Sequence, residues 1–193
     1  MSATEDDTLK RVVDGFQRLR VDYMIVGSYA SNVHGRPRDS YDADILADLR
    51  IEHVPSFCQE FQKDFVVVPE AVADSVLHRA MFNLIPLSGI FKIDIIPLRD
   101  EPFDREEFQR RTEIEVFGAR LNFATPEDVV LSKLRWYRKG GSVSGRQLDD
   151  ARDVAAAQGR LLDLEYLRRW AAFLQVSVLL ERVLGEAGFP AAN

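Results

Sequence analysis

Two aspartates, Asp42 and Asp44, lie in the segment DADILAD, which alternates polar and apolar residues as a β-strand does. Residues i and i+2 of a strand project from the same face, about 6–7 Å apart. The two carboxylates should therefore point together, while Ala43 and Ile45 face the other way. Carboxylates at this spacing repel each other and favour a shared cation. Mg²⁺ is expected, with Mn²⁺ as a substitute, because Mg²⁺ completes its shell with water and phosphate.

A third acid, Asp94, lies in the strongly apolar segment GIFKIDIIP, where an unpaired charge would be costly. If this strand neighbours the strand of Asp42 and Asp44, three carboxylates converge, and a metal beside Asp94 would compensate its burial. The alternative is that Asp42 caps a turn and Asp44 lies on a solvated strand face. The isolated Asp94 and the preceding Gly-Ser step favour the metal site.

A candidate phosphate-binding segment precedes these acids. Gly27 follows the apolar run DYMIV, and Ser28 begins a short predicted helix that stops at Gly35. Glycine lets the backbone approach a ligand, and a helix N-terminus offers free N–H groups that the serine hydroxyl supplements. Arg36 and Arg38 follow in the loop. They either contact a triphosphate or an acceptor phosphate, or pair with neighbouring aspartates at the surface.

Hydrophobic periodicity predicts an α+β fold for the first part of the chain. The pattern gives a mixed twisted sheet flanked by helices, and two hairpins that turn at Ser88-Gly89 and at Gly118 exclude an all-parallel sheet. The predicted helices cover residues 8–20, 29–34, 55–63 and 69–79, and the predicted single strands cover residues 22–26, 42–48 and 65–68.

From Thr125 onward the sequence predicts only helices. Thr125 is an expected N-cap, with proline at the first helical position and acids in the first turn. Further helices are predicted over about 146–157, 163–174 and 177–187, and Trp136 and Trp170 are interpreted as core residues. The composition shift near residue 124 predicts two domains, a core of residues 1–124 and a C-terminal helical bundle of residues 125–193.

The composition is that of a globular protein, with 46% hydrophobic and 29% charged residues in a chain of 193. The net charge of −6 argues against nonspecific nucleic-acid binding over the whole surface. No apolar run approaches the roughly 20 residues that span a bilayer, so no membrane partner is expected. The polar, acidic N-terminus predicts neither a signal peptide nor a transit peptide, and the single cysteine, Cys58, fits a reducing compartment. A cytoplasmic location is predicted.

Taken together, Gly27-Ser28, Asp42-Ala43-Asp44-Ile45 and Asp94 resemble the signature of the polymerase-beta-like nucleotidyltransferase superfamily. The segment ATPEDVVLSKLRWYRKGGSVSGRQLDDARDV, residues 124–154, resembles the segment after the core in bacterial nucleotidyltransferases of the abortive-infection toxin type (AbiEii-like). In those proteins a Pro-Glu-Asp helix carries a lysine, and a later Arg-Gln helix carries an aspartate. The likeness covers residues 20–190, approximately.

The resemblance implies a role for each matching residue. Asp42, Asp44 and Asp94 would be the catalytic, metal-binding carboxylates, and the nucleotide would be bound by Gly27, Ser28, Arg38, Lys133, Arg146, Gln147 and Asp150. The choice of Asp150 among the neighbouring acids rests on its offset from Arg-Gln. Structural alternatives remain open: Lys133 extends from an apolar helix face, and Arg146 and Asp150 form only an exposed ion pair.

The implied reaction is transfer of a nucleoside monophosphate from an NTP to a hydroxyl of a tRNA or protein, with two magnesium ions about 3.5–4 Å apart. The chain would then be an enzyme, and a toxin role would add a cognate antitoxin protein as a partner. One alternative is a catalytically inactive nucleotide-binding or partner-binding module of the same fold. Another is a structural protein with an incidental acidic cluster, which a separation above about 10 Å between Asp94 and the other two acids would favour.

Overall fold

The computed structural model describes residues 5–116, 118–141, 143 and 145–190. The predicted domain limits at residues 1 and 193 lie outside this range. The chain forms two compact units. The sheet unit comprises the residues up to Val26 together with Ser40–Phe123, and the helical unit comprises Gly27–Asp39 together with the residues from Ala124 onward.

The sheet unit is built on one mixed sheet. Over the described residues it has seven strands, in the order β3-β4-β5-β2-β1-β7-β6. Strand β2 runs parallel to β5, β1 runs parallel to β7, and the other neighbours are antiparallel. This confirms the predicted mixed α+β architecture and both hairpins. The strands are β1 (Tyr23–Val26), β2 (Asp42–Ala47), β3 (Phe65–Val66), β4 (Phe82–Pro86), β5 (Lys92–Pro97), β6 (Thr112–Val116) and β7 (Ala119–Phe123).

Nine α-helices occur in the part of the chain that the structure describes, and a 3₁₀ turn follows β2 and another follows the seventh helix. None of these helices is long and apolar enough to cross a membrane. The helices are α1 (Glu5–Leu19), α2 (Gly27–His34), α3 (Val54–Phe61), α4 (Pro69–Leu77), α5 (Pro102–Gln109), α6 (Pro126–Lys139), α7 (Gly145–Gln158), α8 (Leu164–Phe173) and α9 (Ser177–Glu186).

An aromatic cluster forms the core of the sheet unit. Phe16 of α1 is fully buried, and its ring contacts the rings of Tyr23, Phe57 and Phe61 at centroid distances of 5.9–6.0 Å. Phe57 of α3 also meets Phe82 of β4 edge-on at 5.7 Å. These contacts place α1 and α3 on one face of the sheet. The buried isoleucines of β2 and β5 belong to that face, so the alternate positions of both strands point the other way.

The helical unit is organised by the start of α6. Thr125 is the N-cap, as predicted, and its hydroxyl donates to Asp128 Oδ2 at 2.6 Å. Tyr166 of α8 donates to the other oxygen of Asp128 at 2.5 Å, and Glu127 accepts the backbone N–H of Asp163 at 3.0 Å. The acids of the Pro-Glu-Asp segment are therefore buried and connect α6 to α8.

Helix α2 belongs to the same unit and contacts α6 and α7. The buried His34 ring lies 2.7 Å from the carbonyl oxygen of Ala124, and the Gln158 amide donates to the carbonyl of His34 at 2.7 Å. Burial holds the pKa of His34 below its usual range. A methyl group added at Gly35 would lie 2.9 Å from the backbone nitrogen of Val154, so α7 packs directly on this glycine.

One helix was missed and two predictions are corrected. The sequence pattern did not predict helix α5. Strand β3 pairs only through Phe65 and Val66, because β4 offers it only Pro86 and Ile85 as partners and Pro69 already starts α4. The interpretation of Trp136 as a core residue is wrong, since 55% of it is exposed, whereas Trp170 is half-buried.

Candidate functional site

The three predicted carboxylates lie side by side on one face of the sheet. Asp44 of β2 pairs in register with Asp94 of β5, and Asp42 lies two residues earlier on β2. Residues directly opposite each other on adjacent strands share a face and lie about 5 Å apart. The prediction that the strand of Asp94 neighbours that of Asp42 and Asp44 is confirmed. The separation above about 10 Å that would have favoured an incidental cluster is therefore not found.

A lysine lies among these acids. Lys92 pairs in register with Asp42, and its ammonium donates to both carboxylate oxygens of Asp94 at 2.7 Å. The same ammonium lies 3.3 Å from Asp42 Oδ2. No role was predicted for Lys92, although the alternation of β5 puts it on the same face as Asp94. We refer to Asp42, Asp44, Lys92 and Asp94 as the acidic cluster.

The buried charge of Asp94 is compensated by protein groups. Asp94 is only 6% exposed, and Asn83 of β4, its partner in register, donates to Asp94 Oδ1 at 2.5 Å. With Lys92 on the same carboxylate, the structure corrects the expectation that a metal alone would offset this burial. Partial burial lowers the pKa of Lys92, but the hydrogen bonds to Asp94 and Asp42 outweigh it and raise that pKa above its ordinary value.

Asp42 is held by Ser40, which lies two residues before the strand. The Ser40 hydroxyl lies 3.0 Å from the carbonyl oxygen of Asp42 and 3.3 Å from its Oδ1 atom. The side chain of Asp42 is 39% exposed, against 8% for that of Asp94. The acidic cluster is therefore open to solvent on the Asp42 side and closed on the Asp94 side.

The carboxylates of the acidic cluster suit a divalent cation, but two of them already contact the ammonium group of Lys92. Carboxylate oxygens are the ligands that Mg²⁺ and Mn²⁺ prefer, and Asp42 and Asp94 together already contact one ammonium. Within the described residues, no group of three or more His, Cys, Asp or Glu side chains is arranged to hold a metal ion. The chemistry of the carboxylates suits a divalent metal, and in the structure two of them contact the Lys92 ammonium.

In the helical unit, Gly27 and Ser28 begin α2, directly after β1 in the chain. Gly27 has φ of +63°, a left-handed backbone conformation that favours glycine. Its carbonyl oxygen accepts a hydrogen bond from the Ser31 hydroxyl at 2.9 Å. The Ser28 hydroxyl accepts a hydrogen bond from Arg38 at 2.9 Å. This connects the start of α2 to the loop that follows it.

Arg38 also forms the centre of a second group of charges. Its guanidinium donates to Asp150 of α7 through Nε and a terminal nitrogen, each at 2.8 Å. Lys133 of α6 donates to Asp150 Oδ2 at 2.7 Å. Lys133 and Asp150 are 5% and 6% exposed. We refer to Ser28, Arg38, Lys133 and Asp150 as the ionic cluster, and it combines four of the seven predicted nucleotide-binding residues.

The ionic cluster keeps Asp150 charged. Burial raises the pKa of Asp150, but the hydrogen bonds from Arg38 and Lys133 outweigh it and hold the pKa below its ordinary value of 3.8. One carboxylate faces two cations, so the cluster has a net positive charge. The backbone of Arg38 is itself fixed, because Asn32 donates to its carbonyl at 2.7 Å and accepts its N–H at 3.1 Å.

The remaining predicted residues lie outside the ionic cluster. Arg146 is exposed and Gln147 is half-buried, one turn before Asp150 on α7, and Arg36 is exposed. Asp150 is buried and bonded to Arg38 and Lys133, which does not match the alternative of an exposed ion pair with Arg146. For Arg38 the carboxylate partner is Asp150, which the sequence reasoning had not connected with it.

Comparison of the chain with known proteins gives structural matches only. No protein-family model matches it, and no curated protein sequence matches it. An antigenic nucleotidyltransferase-like protein from Paracoccidioides brasiliensis matches with a TM-score of 0.53 and 17% identity, covering 100% of this chain and 96% of that one. The solution structure of the antibiotic-resistance factor ANT(2'')-Ia matches with a TM-score of 0.57 and 13% identity, over 94% and 97% of the two chains.

A third solved structure, the lincomycin-bound lincosamide antibiotic adenylyltransferase LnuA, matches with a TM-score of 0.52 and 16% identity, over 80% of this chain and 98% of the other. At these identities the likeness establishes the fold. The relation to the abortive-infection toxin type stays a prediction. The chain therefore has the mixed α+β fold of nucleotidyltransferase-like structures, with a seven-stranded sheet over the described residues.

Proposed function

We propose that this protein is a magnesium-dependent nucleotidyltransferase that transfers a nucleoside monophosphate from an NTP to an acceptor hydroxyl. The observation that carries the proposal is the register of β2 and β5, which puts Asp44 beside Asp94 and on the same face as Asp42. Three carboxylates on adjacent strands are a costly arrangement, and divalent metal chemistry is the function for which they are suited.

In this proposal the acidic cluster provides the metal ligands. Asp42, Asp44 and Asp94 would hold the metal, which would supply positive charge to offset the charge of the transferred phosphoryl group. Asn83 keeps Asp94 in one orientation through the hydrogen bond to Oδ1. Ser40 does the same for Asp42, since its hydroxyl contacts both the backbone and the side chain of that residue.

The ionic cluster provides groups for the phosphates. A guanidinium can bind two phosphate oxygens at once, and an ammonium adds a compact charge, so Arg38 and Lys133 are suited to the polyphosphate of an NTP. Ser28 and the N-terminal N–H groups of α2 supplement them. Asp150 holds Arg38 and Lys133 in place through hydrogen bonds of 2.7–2.8 Å, and Arg146 and Gln147 extend the set along α7.

The chemical step forms a bond between the acceptor oxygen and the α-phosphorus and breaks the bond between that phosphorus and the β-phosphate oxygen. Pyrophosphate leaves with the electron pair of the broken bond, and the proton of the acceptor hydroxyl passes to a carboxylate of the acidic cluster. Positioning and charge stabilisation supply most of the catalysis in such transfers, and buried, hydrogen-bonded side chains hold their geometry best.

The acceptor is a hydroxyl of a tRNA or a protein in our proposal, and the protein acts in the cytoplasm. A toxin role would require that the transfer inhibits growth and that a cognate antitoxin protein relieves the inhibition. The antibiotic adenylyltransferases of the same fold make hydroxyl-bearing small molecules the next acceptors to test. The net charge of −6 favours an acceptor that is bound at a local basic site rather than over the whole surface.

The test is transfer of label from each of the four α-labelled NTPs, with magnesium, to total tRNA, cell lysate or hydroxyl-bearing small molecules. We expect Asp44→Ala to reduce transfer at least about a hundredfold, because even partners outside the metal shell contribute 10–100-fold. Asp74→Ala, an exposed acid of α4, is the matched control and should retain full transfer. Turnover in a thoroughly chelated assay would contradict the proposal.

The same experiment separates the proposal from its alternative. If Mg-NTP binds in calorimetry while no acceptor becomes labelled, the chain is a catalytically inactive nucleotide-binding module of this fold. If neither binding nor label is found, the acidic cluster has a structural role.

A further inference from the structure

We propose that Lys92 is the built-in counter-ion of the acidic cluster, and that a divalent metal binds there by displacing its ammonium group. The inference rests on the proposed function, since it concerns the same carboxylates. It adds a positioning residue that neither the motif nor the fold assigns. In the metal-free protein Lys92 forms ion pairs with Asp42 and Asp94, and these ion pairs break when a metal binds.

The contacts of Lys92 support this role. A cation shared by Asp42 and Asp94 has to lie within reach of both carboxylates, and the Lys92 ammonium does so, at 3.3 Å from Asp42 Oδ2 and 2.7 Å from Asp94 Oδ2. An ammonium and a metal ion cannot both fill that position.

The lysine is able to leave without movement of the backbone. Its side chain is 39% exposed and consists of a flexible four-carbon stem, so rotation of the stem alone brings the ammonium into water. Asp94 is not left without a donor when this happens, because Asn83 still holds Oδ1 at 2.5 Å. The departure of Lys92 then frees Asp94 Oδ2 and Asp42 Oδ2, which are oxygens that a metal can use.

The arrangement has a consequence for metal affinity. Three carboxylates without a counter-ion would repel one another, so Lys92 stabilises the metal-free state and thereby weakens metal binding. Removal of the lysine charge should therefore tighten binding. Because metal binding requires the loss of the contacts of Lys92 with Asp94 and Asp42, which are charge-assisted but partly exposed, we expect these contacts to account for about tenfold in affinity.

The experiment uses the full chain and titrates Mn²⁺, with free Mn²⁺ followed by electron paramagnetic resonance. Lys92→Met removes the charge and keeps the apolar stem, and it should bind Mn²⁺ about tenfold more tightly than the wild type. Lys92→Arg keeps the charge and should bind like the wild type. Lys10→Met is the matched control, because Lys10 also contacts a carboxylate at 2.7 Å but lies on the exposed face of α1.

A second measurement needs no variant. Reductive methylation followed by mass spectrometry reports how accessible each lysine amine is. In the wild type Lys92 should be protected without metal and become several-fold more reactive with Mg²⁺ or Mn²⁺, while Lys10 should not change. This measurement decides the matter if Lys92→Met does not fold.

The outcomes separate the two proposals. Mn²⁺ binding that is equally tight in the wild type and in Lys92→Met, or methylation of Lys92 that metal does not change, overturns the counter-ion role and leaves the proposed function standing. An absence of Mn²⁺ binding in both proteins, with or without NTP, overturns the metal-dependent function and this inference with it. Tighter binding by Lys92→Met together with metal-induced methylation supports both.

Discussion

Replacement of Asp150 by asparagine should destabilise the helical unit by about 3 kcal/mol. The exchange keeps the shape of the side chain but removes its charge. Lys133, which is only 5% exposed, is then left without a counter-ion. Removal of one partner of a buried ion pair costs about 3–5 kcal/mol. The lower end applies here, because the Arg38 side chain is 29% exposed and can turn to water.

The assay is urea denaturation followed by circular dichroism, with Asp149→Asn as the control. Asp149 is the preceding residue on α7, it is 59% exposed, and it pairs with Arg152 at 3.0 Å, so the control should lose no more than about 0.5 kcal/mol. In thermal denaturation, a loss of about 3 kcal/mol corresponds to about 6–12 °C for a chain of this length.

The pH dependence gives a second signature. Since the hydrogen bonds hold the pKa of Asp150 below its ordinary value of 3.8, its carboxylate stabilises the fold above about pH 4, and that stability is lost as the pH falls through the lower pKa of the folded protein. The difference between wild type and Asp150→Asn should therefore be full at pH 7 and shrink towards pH 3. A difference that equals that of Asp149→Asn, or that does not change with pH, would refute the reasoning.

Four substitutions test the packing. Gly35→Ala should cost about 1–3 kcal/mol, because its methyl group would meet the Val154 backbone at 2.9 Å, whereas Gly185→Ala in α9 has open space and should gain about 0.5–1 kcal/mol. Phe57→Ala removes a fully buried ring and should cost about 3–5 kcal/mol. Asp163→Ala removes the α8 N-cap bond of 2.9 Å and should cost about 1 kcal/mol. Urea denaturation measures all four, and a loss in Gly185→Ala as large as in Gly35→Ala would contradict the packing argument.

The acidic cluster was predictable in part because a strand has a period of two. Alternation alone placed Asp42 and Asp44 on one face, and the same alternation placed Lys92 with Asp94. A metal was the expected compensation for Asp94, whereas the structure supplies the ammonium of Lys92, two residues away. Asn83 could not have been found in this way, because its position beside Asp94 depends on the register of β4 against β5, which the sequence does not show.

Helix α5 was missed for a different reason. Four of its side chains are buried, and two of them, Asp104 and Glu107, are acidic. A helix that buries acids does not show the apolar period of 3.6 on which the prediction depends. For strand β3 the prediction was too long rather than missing. Of the apolar run at residues 65–68, only Phe65 and Val66 pair with β4. Val66 and Val68 are half exposed.

The ionic cluster depends on contacts between residues far apart in the chain, which the sequence pattern did not predict. Arg38 and Asp150 are 112 residues apart in the chain, and the composition shift near residue 124 gave no sign that the loop of Arg38 belongs with the C-terminal helices. The predicted domain division stays a prediction. In the structure the C-terminal helices form one compact unit with Gly27–Asp39.

This discontinuity governs how the chain can be divided and the order in which it can mature. Helix α2 leaves the ribosome before its neighbours α6 and α7, and all of Ser40–Phe123 is synthesised in between. A nascent or truncated polypeptide that stops at Phe123 carries α2 with no helices to receive it, and one that begins at Ala124 lacks a helix of its own bundle. Cleavage at the compositional border therefore separates α2 from the other helices of its unit, and only the uninterrupted polypeptide can complete the helical unit.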